Sequence, residues 1–384
     1  MNYDSGSALS GSPVLFMMTN TLETGGGERQ YMTLAKSLKA GSLQVRLGCL
    51  RNYGAFSEGL DGIVEFPPGG SLFKLRAQRA RLKLGRYLRA NRVAIAHSFD
   101  FYSNLMMIPS ARLSGVPIVV GSQRQLGDLI SPFRNRVQNA LFRWCDRVVC
   151  NSQAAASRLL RAGVKTERTV VIPNALPAAA FAESYPLLSP IPDGVRVAMI
   201  ARMNDPAKRH DIFLEAAARL GEKHPKMEFV LVGDGDLRPG LEKLAAQLGL
   251  GNRVVFLGER HDIPAVLASA EISVLPSISE SLSNSIMESM AAGVPVVACR
   301  VGGNAELIRD GESGFLVSPE NAEEMAERID QLVRDPELRK SFGAAARKDA
   351  QRFTVERVAG EYERFYMSLL EEKGIRQVEL VVSR

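Results

Sequence analysis

Several features that would narrow the class of this protein are scarce or missing among its 384 residues. The four cysteines, at positions 49, 145, 150 and 299, form no CxxC pair, so buried reduced thiols in a cytoplasmic protein are the simplest interpretation. No apolar run approaches the roughly 18 residues of a membrane-spanning helix. Residues 1–12 are polar and small, without the basic and apolar segments of an export signal, and we interpret them as a flexible leader.

A G-x-G-x-x-G fingerprint is also missing, which disfavours a nicotinamide dehydrogenase. A different glycine-rich turn, Thr24–Glu28, follows the first predicted strand and opens a helix. Gly26 and Gly27 would let the backbone approach a phosphate, and the helix start would supply free N–H groups. A tight strand-to-helix turn is the alternative, with Glu28 favouring the helix dipole.

Apolar strand-like runs alternate with helical stretches along the whole chain, and this pattern predicts parallel sheets covered on both faces. The alternation stops in a segment rich in Pro, Ala and Ser and then restarts. We therefore expect an α/β protein of two facing Rossmann-like domains with a cleft between them, into which ligands bind. The expected bounds are an acceptor domain at 13–176 and a donor-nucleotide domain at 195–360. A linker is expected at 177–194, and a C-terminal helix and tail at 361–384 could pack back on the first domain.

Charge is distributed unevenly. Residues 1–190 carry a net charge of +12, whereas the remainder carries −6. Between Lys74 and Arg92 there are eight basic residues and no acidic one, and Leu72, Leu75, Leu84, Tyr87 and Leu88 could form an apolar face. A basic amphipathic helix predicts binding to an anionic membrane surface. A packing helix with a solvated basic face is the alternative, and no nucleic-acid motif accompanies it.

Two cations lie just beyond the first strand of the second half. Arg202 ends that predicted strand and Lys208 follows six residues later in the loop. Arginine can bind a diphosphate through its planar fork and lysine as a point charge. A pair of solvated surface charges is the alternative.

The most informative stretch runs from Glu280 to Glu288. Glu280 precedes a predicted helix, and Glu288 lies inside it among apolar residues. Eight helical residues rise about 12 Å, comparable with the distance between a donor sugar and its nucleotide ribose. Carboxylates accept hydrogen bonds from vicinal hydroxyls, and Ser281, Leu282 and Ser283 would present N–H groups at the helix start. The alternatives are a dipole partner for Glu280 and a surface position for Glu288.

These pieces occur in one order with VGDG, AAGVPVVA and VGGNAELI, and together they closely resemble the retaining glycosyltransferases of family 4 over roughly residues 13–370. The resemblance implies the GT-B fold. It implies that Arg202 and Lys208 hold the donor diphosphate, that Glu288 binds the ribose and that Glu280 contacts the sugar. The backbone at Glu259 and Arg260 would meet the base. It also implies no cofactor and no metal, because cations and helix N-termini stabilise the leaving group.

The expected acceptor-side residues are Glu28, Asp100 and Asn174, and the chain departs from the family pattern at three places. The family's H-x-H motif is replaced by His97-Ser98-Phe99. His97 is therefore a candidate catalytic residue, and the alternative is a purely structural histidine whose ring nitrogens are already hydrogen-bonded. Asp100 follows it, and Asn174 stands in IPNALP where relatives read I-P-N-G. After Glu280, SLS replaces the usual x-F-G. The D-x-D sequence at Asp234 resembles a metal motif, but we interpret it as a polar turn.

The sequence therefore predicts a retaining, metal-independent glycosyltransferase on the inner face of the cytoplasmic membrane. The expected donor is a UDP-sugar, with a GDP-sugar as second choice. The expected acceptor is a lipid-linked or polysaccharide intermediate in cell-envelope or exopolysaccharide assembly. The alternatives are a GT-B epimerase or phosphorylase, or a non-catalytic module that binds nucleotide-sugars.

Overall fold

The computed structural model describes residues 12–23, 25–38, 41–54, 62–70 and 74–375, and it divides the chain into two compact units. Unit 1 contains the chain up to Ala175 together with the chain from Val355 onwards. Unit 2 is the continuous segment Leu176–Thr354. The leader and the last nine residues of the tail predicted from the sequence fall outside the described residues, as do Thr24 and Leu72.

Unit 1 is built on a parallel sheet of seven strands in the order β3-β2-β1-β4-β5-β6-β7. Every observed pairing within this sheet is parallel. The strands are rich in Val and Ile, and β4 and β5 are buried along their whole length, as a sheet covered on both faces requires. Their bounds are β1 Val14–Thr19, β2 Gln44–Cys49, β3 Ile63–Glu65, β4 Val93–Ser98, β5 Ile118–Gln123, β6 Arg147–Cys150 and β7 Thr169–Val171.

The helices of unit 1 follow the strands, and side chains cap the starts of α3, α4 and α5. Asp100 caps α3 by accepting hydrogen bonds from the backbone N–H groups of Tyr102 and Ser103. The bounds are α1 Gly26–Leu38, α2 Leu75–Ala90, α3 Phe101–Leu113, α4 Pro132–Phe142 and α5 Gln153–Arg161, with α13 Val355–Glu372 returning at the end of the chain.

The observed units differ from the expected bounds at both ends of the second domain. Tyr362 and Tyr366 on α13 are fully buried in the core of unit 1, so the helix belongs there from Val355 rather than from residue 361. Residues 177–194 belong to unit 2 rather than to a free linker. Arg196 donates a hydrogen bond to the Ser189 carbonyl, and Leu188 donates one to Ser269, so this stretch is held against the unit.

Unit 2 repeats the plan with a parallel six-stranded sheet in the order β10-β9-β8-β11-β12-β13. The α/β class with two doubly wound parallel sheets is therefore confirmed. The strand bounds are β8 Val195–Ile200, β9 Met227–Val232, β10 Val254–Gly258, β11 Ile272–Leu275, β12 Val296–Cys299 and β13 Gly314–Val317.

The helices of unit 2 cover both faces of that sheet. Helix α9 begins after the cap Ser283 and ends at Gly293, whose φ of 76° is the left-handed conformation that glycine adopts without strain. The helix bounds are α6 His210–Lys223, α7 Arg238–Gln247, α8 Ile263–Leu267, α9 Asn284–Ala292, α10 Asn304–Leu307, α11 Ala322–Arg334 and α12 Pro336–Ala350.

The basic helix α2 differs from the expected amphipathic pattern. Its buried stripe is Ala77, Ala80, Leu84, Gly85 and Leu88, at the spacing of one helical face. Leu75 was assigned to this face, but it is 68% exposed because it lies off that stripe. In the part of the chain that the structure describes, no helix combines the length and apolar character needed to cross a bilayer.

The four cysteines are all buried and free, as expected. Burial raises the pKa of the Cys49, Cys145 and Cys150 thiols to about 12, and that of Cys299 to about 11. These thiols stay protonated at neutral pH and pack as small apolar side chains.

Candidate active site

In unit 2, the loops that follow β8 and β11 carry most of the predicted donor residues. These two strands are neighbours in the sheet, although the sequence between them contains β9 and β10. Strand order reverses at this point, and ligands in open α/β sheets bind beside the carboxyl ends of such strands. Arg202 follows β8, and Glu280 follows β11, so the topology brings their loops to the same edge.

Lys208 and Glu280 form an ion pair, with 2.6 Å between Nζ and Oε1. Lys208 ends a short 3₁₀ turn that Asp205 caps by accepting a hydrogen bond from the Ala207 N–H at 3.0 Å. The Glu280 carbonyl accepts a hydrogen bond from the Gly303 N–H, and Glu280 is only 9% exposed. Two residues 72 positions apart are thus held together as a charged pair.

The start of α9 lies directly beyond Glu280. Ser281, Leu282 and Ser283 are buried, and the Ser283 hydroxyl accepts a hydrogen bond from the Ile286 N–H at 3.4 Å. Glu288 lies one turn further along the helix and is also buried, which rules out the surface interpretation. Glu288 therefore places a carboxylate inside the unit near the start of α9, and its role in binding the ribose stays a prediction.

The remaining predicted donor residues are more open. Arg202 is exposed just beyond β8. Glu259 and Arg260 follow β10, the edge strand of the sheet, and Arg260 forms an ion pair with Asp262 at 2.5 Å. The structure therefore brings Lys208 and Glu280 into direct contact, and it places Arg202 and the Glu259–Arg260 backbone just beyond β8 and β10 of the same sheet.

The D-x-D sequence follows β9 as a tight turn. Gly233 and Gly235 have φ values of 131° and 149°, and a Cβ at Gly233 would lie 2.1 Å from the Ala201 carbonyl oxygen. Asp234 forms an ion pair with Arg238 at 3.0 Å. Among the described residues, no group of three or more potential metal ligands occurs.

In unit 1, strand order reverses between β1 and β4, and Asp100 links the two strand ends. Its Oδ2 accepts hydrogen bonds from the Asn20 N–H at 2.7 Å and from the Thr19 hydroxyl at 3.2 Å. Burial raises the pKa of this carboxyl, and the hydrogen bonds from Ser103, Asn20 and Thr19 oppose that rise. Asp100 thereby organises the loop that leads to α1, where Gly26, Gly27 and Glu28 form the first turn.

His97 is fully buried at the carboxyl end of β4. Its Nδ1 lies 2.6 Å from the Tyr366 hydroxyl, and its Nε2 lies 2.8 Å from the Ser122 hydroxyl. Burial, and then the positive charge of Arg124, hold the pKa of His97 well below its ordinary value. The ring is therefore neutral at neutral pH with both nitrogens in contact with hydroxyls, and a catalytic role for it stays a prediction.

Asn174 and Arg124 form one polar contact at the same edge. The Arg124 Nη1 donates to Asn174 Oδ1 at 2.9 Å, and its Nη2 donates to the Tyr362 hydroxyl at 2.7 Å. Sequence analysis missed Arg124. The signal was available, because Arg124 is a cation at the carboxyl end of a parallel strand, as Arg202 is in unit 2.

Both halves of the chain match models of known protein families. Residues 189–349 match the family model described as glycosyl transferases group 1, and residues 24–179 match the one described as glycosyltransferase family 4. The α-D-kanosaminyltransferase of Streptomyces kanamyceticus is 31% identical over 310 residues, which cover 75% of this chain and 79% of that one. The lipopolysaccharide core biosynthesis glycosyltransferase LpsE of Rhizobium meliloti is 36% identical over 52% of this chain and 57% of its own.

Among solved structures, HepE of Anabaena in complex with UDP is similar with a TM-score of 0.81 at 25% identity, over 93% of this chain and all of that one. The aligned stretches cover between 45% and 79% of the length of the first curated relatives.

Proposed function

Because the chain belongs to glycosyltransferase family 4, we propose that it transfers a sugar from a UDP-sugar to a lipid-linked or polysaccharide acceptor, with retention of the anomeric configuration. The observation that carries this proposal is the Lys208–Glu280 ion pair at the switch point of unit 2, beside the start of α9. UDP is favoured over GDP because the similar HepE structure contains UDP. A lipid-linked or polysaccharide acceptor in envelope or exopolysaccharide assembly follows the function named for LpsE.

The charges of unit 2 suit a nucleoside diphosphate donor. Lys208 would exchange its contact with Glu280 for the diphosphate, and the exposed fork of Arg202 would bind the same group. The released Glu280 carboxylate would then accept hydrogen bonds from sugar hydroxyls. Glu288 would accept hydrogen bonds from the ribose. These cations and the start of α9 would stabilise the leaving diphosphate without a metal ion.

Transfer would proceed by substitution on one face of the sugar. The bond from the anomeric carbon to the diphosphate breaks, and the acceptor oxygen bonds to the same face. The acceptor proton moves to a leaving phosphate oxygen. The anomeric configuration is therefore retained.

Binding of the donor can be measured first by thermal unfolding, because a ligand that binds the native state raises its stability. We expect UDP and UDP-sugars to raise the melting temperature, and GDP-mannose to leave it unchanged. Lys208→Ala and Arg202→Ala should remove the shift and abolish turnover while remaining folded. Lys243→Ala, an exposed lysine on α7, is the matched control. Wild-type kcat/KM in either site variant would contradict the diphosphate role.

Retention can be tested without the natural acceptor, by following slow hydrolysis of UDP-α-glucose with proton NMR. The first product should be α-glucose, and β-glucose appearing first would contradict the proposed stereochemistry. Rapid epimerisation of the donor would favour the epimerase alternative. Turnover that survives EDTA supports the metal-independent route, and turnover restored only by added Mg²⁺ would overturn it.

We also propose that unit 1 binds an anionic membrane surface on the cytoplasmic side. On α2, Arg76, Arg79 and Arg86 are exposed together with Leu82, which is 62% exposed. Surfaces that combine basic and apolar side chains bind anionic lipid headgroups, and each basic residue near the membrane surface contributes about 1 kcal/mol to binding. Near the end of α2, the Arg89 side chain donates a hydrogen bond to the Leu113 carbonyl.

Leu113 lines a surface cavity of about 760 Å³ at the amino ends of β6 and β7. Five basic residues, the acidic Asp146 and Glu167, and Trp144 also line this cavity, and Trp144 is 49% exposed. Aromatic side chains of this kind favour the interfacial region of a bilayer. The cavity therefore adds an exposed aromatic ring and a lining with more basic than acidic residues to the same unit as α2.

Vesicle sedimentation tests the membrane proposal. We expect retention on phosphatidylglycerol-containing vesicles, weak retention on phosphatidylcholine, and loss of retention at high salt because the attraction is screened. Changing Arg76, Arg79 and Arg86 to glutamine should weaken binding. A charge-matched variant of unit 2, with Lys223, Lys243 and Lys340 changed to glutamine, should bind normally. Equal retention on both vesicle types would contradict the proposal.

A further inference from the structure

Arg124 occupies the first position after β5 in unit 1, next to the strand that carries His97. The carboxyl ends of parallel strands are where open α/β sheets bind ligands. The side chain is half-buried, and its guanidinium lies 5.0 Å from the centre of the Phe99 ring. Arg124 is therefore fixed in place at the ligand-binding edge of the sheet.

The charge of Arg124 is not neutralised by a carboxylate in the part of the chain that the structure describes. Its hydrogen-bond acceptors are the neutral Asn174 and Tyr362 side chains. A guanidinium has five N–H donors, so these two bonds leave three of them available. One of the three, at Nε, is buried without a partner. A half-buried cation with an unpaired donor gains from an anion that completes its hydrogen bonds.

The neighbours of Arg124 also hold its fork in one orientation. Tyr362 is fully buried on α13, Asn174 is 4% exposed, and Asn151 donates to the same Asn174 oxygen at 3.4 Å. An arginine fork that is already oriented loses little side-chain entropy when it binds a planar or tetrahedral anion. The arrangement thus favours bidentate binding of a phosphate over loose attraction of any anion.

We infer that Arg124 is a specificity-determining residue that binds a phosphate group on the acceptor, an inference that rests on the proposed glycosyltransferase function and on the expectation that the acceptor binds to unit 1. The donor diphosphate has its own cations, Arg202 and Lys208, in unit 2. The acceptor would therefore be a phosphorylated sugar or a lipid-linked phosphate, and a neutral glycan would bind poorly.

The test uses the full chain saturated with UDP, so that the donor cations are already occupied. Binding of inorganic phosphate is then followed by ³¹P NMR line broadening, with sodium chloride holding the ionic strength constant. Arg124→Gln should weaken phosphate binding by about 10- to 100-fold, the loss expected for hydrogen bonds to a charged group. Arg124→Lys should fall between this variant and wild type. Arg161→Gln, an exposed arginine on α5, should bind phosphate normally.

A purely structural role for Arg124 makes a different prediction. Tyr362→Phe removes the Arg124–Tyr362 hydrogen bond and leaves the cation, so it should retain phosphate binding even if it melts at a lower temperature. Equal loss of phosphate binding in Tyr362→Phe and Arg124→Gln would overturn the inference, as would wild-type affinity in Arg124→Gln. Failure to bind UDP would instead count against the proposed function, and it is measured separately in the same samples.

The source of the phosphate can be separated in a second set of titrations. Glucose 6-phosphate in solution and phosphatidic acid in detergent micelles should each compete with inorganic phosphate. Stronger competition by the sugar phosphate indicates a soluble acceptor, and stronger competition by the lipid indicates a lipid-linked one. Competition by neither would overturn the assignment of Arg124 to a phosphorylated acceptor.

Discussion

Removing the positive charge of Lys208 should destabilise the protein in the absence of donor. The Lys208 side chain is 21% exposed and that of Glu280 is 10% exposed, so their ion pair lies between the surface and the interior. Exposed pairs contribute about 0.2–1 kcal/mol, whereas breaking a fully buried pair costs about 3–5 kcal/mol. For Lys208→Met, which keeps most of the aliphatic stem, we expect a loss of about 2 kcal/mol of unfolding free energy.

A double-mutant cycle separates this interaction from the loss of packing. Glu280→Gln should cost about 1 kcal/mol, because the amide still accepts a hydrogen bond from Lys208. The double variant should then be about 1 kcal/mol more stable than the sum of the two single effects, since it leaves no unpaired charge. Unit 2 has 179 residues, so about 2 kcal/mol corresponds to a fall of roughly 4–8 °C in its melting temperature.

Thermal melting, monitored by circular dichroism with and without UDP, measures the loss of unfolding free energy in each variant and the interaction energy of the cycle. UDP should stabilise wild type and Glu280→Gln but should not stabilise Lys208→Met. The exposed Lys243→Met is the control and should melt with wild type. If Lys208→Met melts at the wild-type temperature and shows additive behaviour with Glu280→Gln, the ion pair contributes nothing and the reasoning is refuted.

Two other predictions concern single residues. Because burial lowers the pKa of His97, its contribution to stability is complete above its unfolded pKa of about 6.5 and is lost as pH falls through that range towards the folded value. Between pH 7.5 and pH 5.5, urea denaturation should therefore show a smaller fall in unfolding free energy for His97→Gln than for wild type, and His210 should provide the remaining fall in both proteins. An equal fall in the two proteins would contradict this prediction. Gly233→Ala should destabilise unit 2 by about 1–3 kcal/mol, because the φ of 131° at this position suits glycine and the added Cβ would meet the Ala201 carbonyl. Gly240→Ala is the control, because a Cβ added there on α7 would lie in open space. Equal melting temperatures for the two variants would count against this account.

Local patterns predicted much of the fold. The strand predicted to end at Arg202 is observed at Val195–Ile200, and the helix predicted to follow Glu280 and to contain Glu288 is observed at Asn284–Ala292. Short β3 at Ile63–Glu65 was missed, because three residues give no periodicity to detect.

Contacts between distant residues were harder to predict. His97 and Tyr366 are 269 positions apart, so no local pattern indicates that the tyrosine hydroxyl contacts the histidine ring. The same holds for Arg124, whose partner Tyr362 lies on the returning helix. The Lys208–Glu280 pair was predicted as two ligand-binding residues from the family resemblance, but their mutual contact was not, because spacing alone does not give sheet order.

The return of α13 has a consequence for synthesis on the ribosome. Unit 2 is one uninterrupted stretch of chain and can fold while translation continues. Unit 1 is made first, yet its core lacks the buried rings of Tyr362 and Tyr366 until the final helix has been synthesised. The half of the protein that emerges first is therefore completed last, and until then chaperones would meet an exposed apolar surface where α13 later binds.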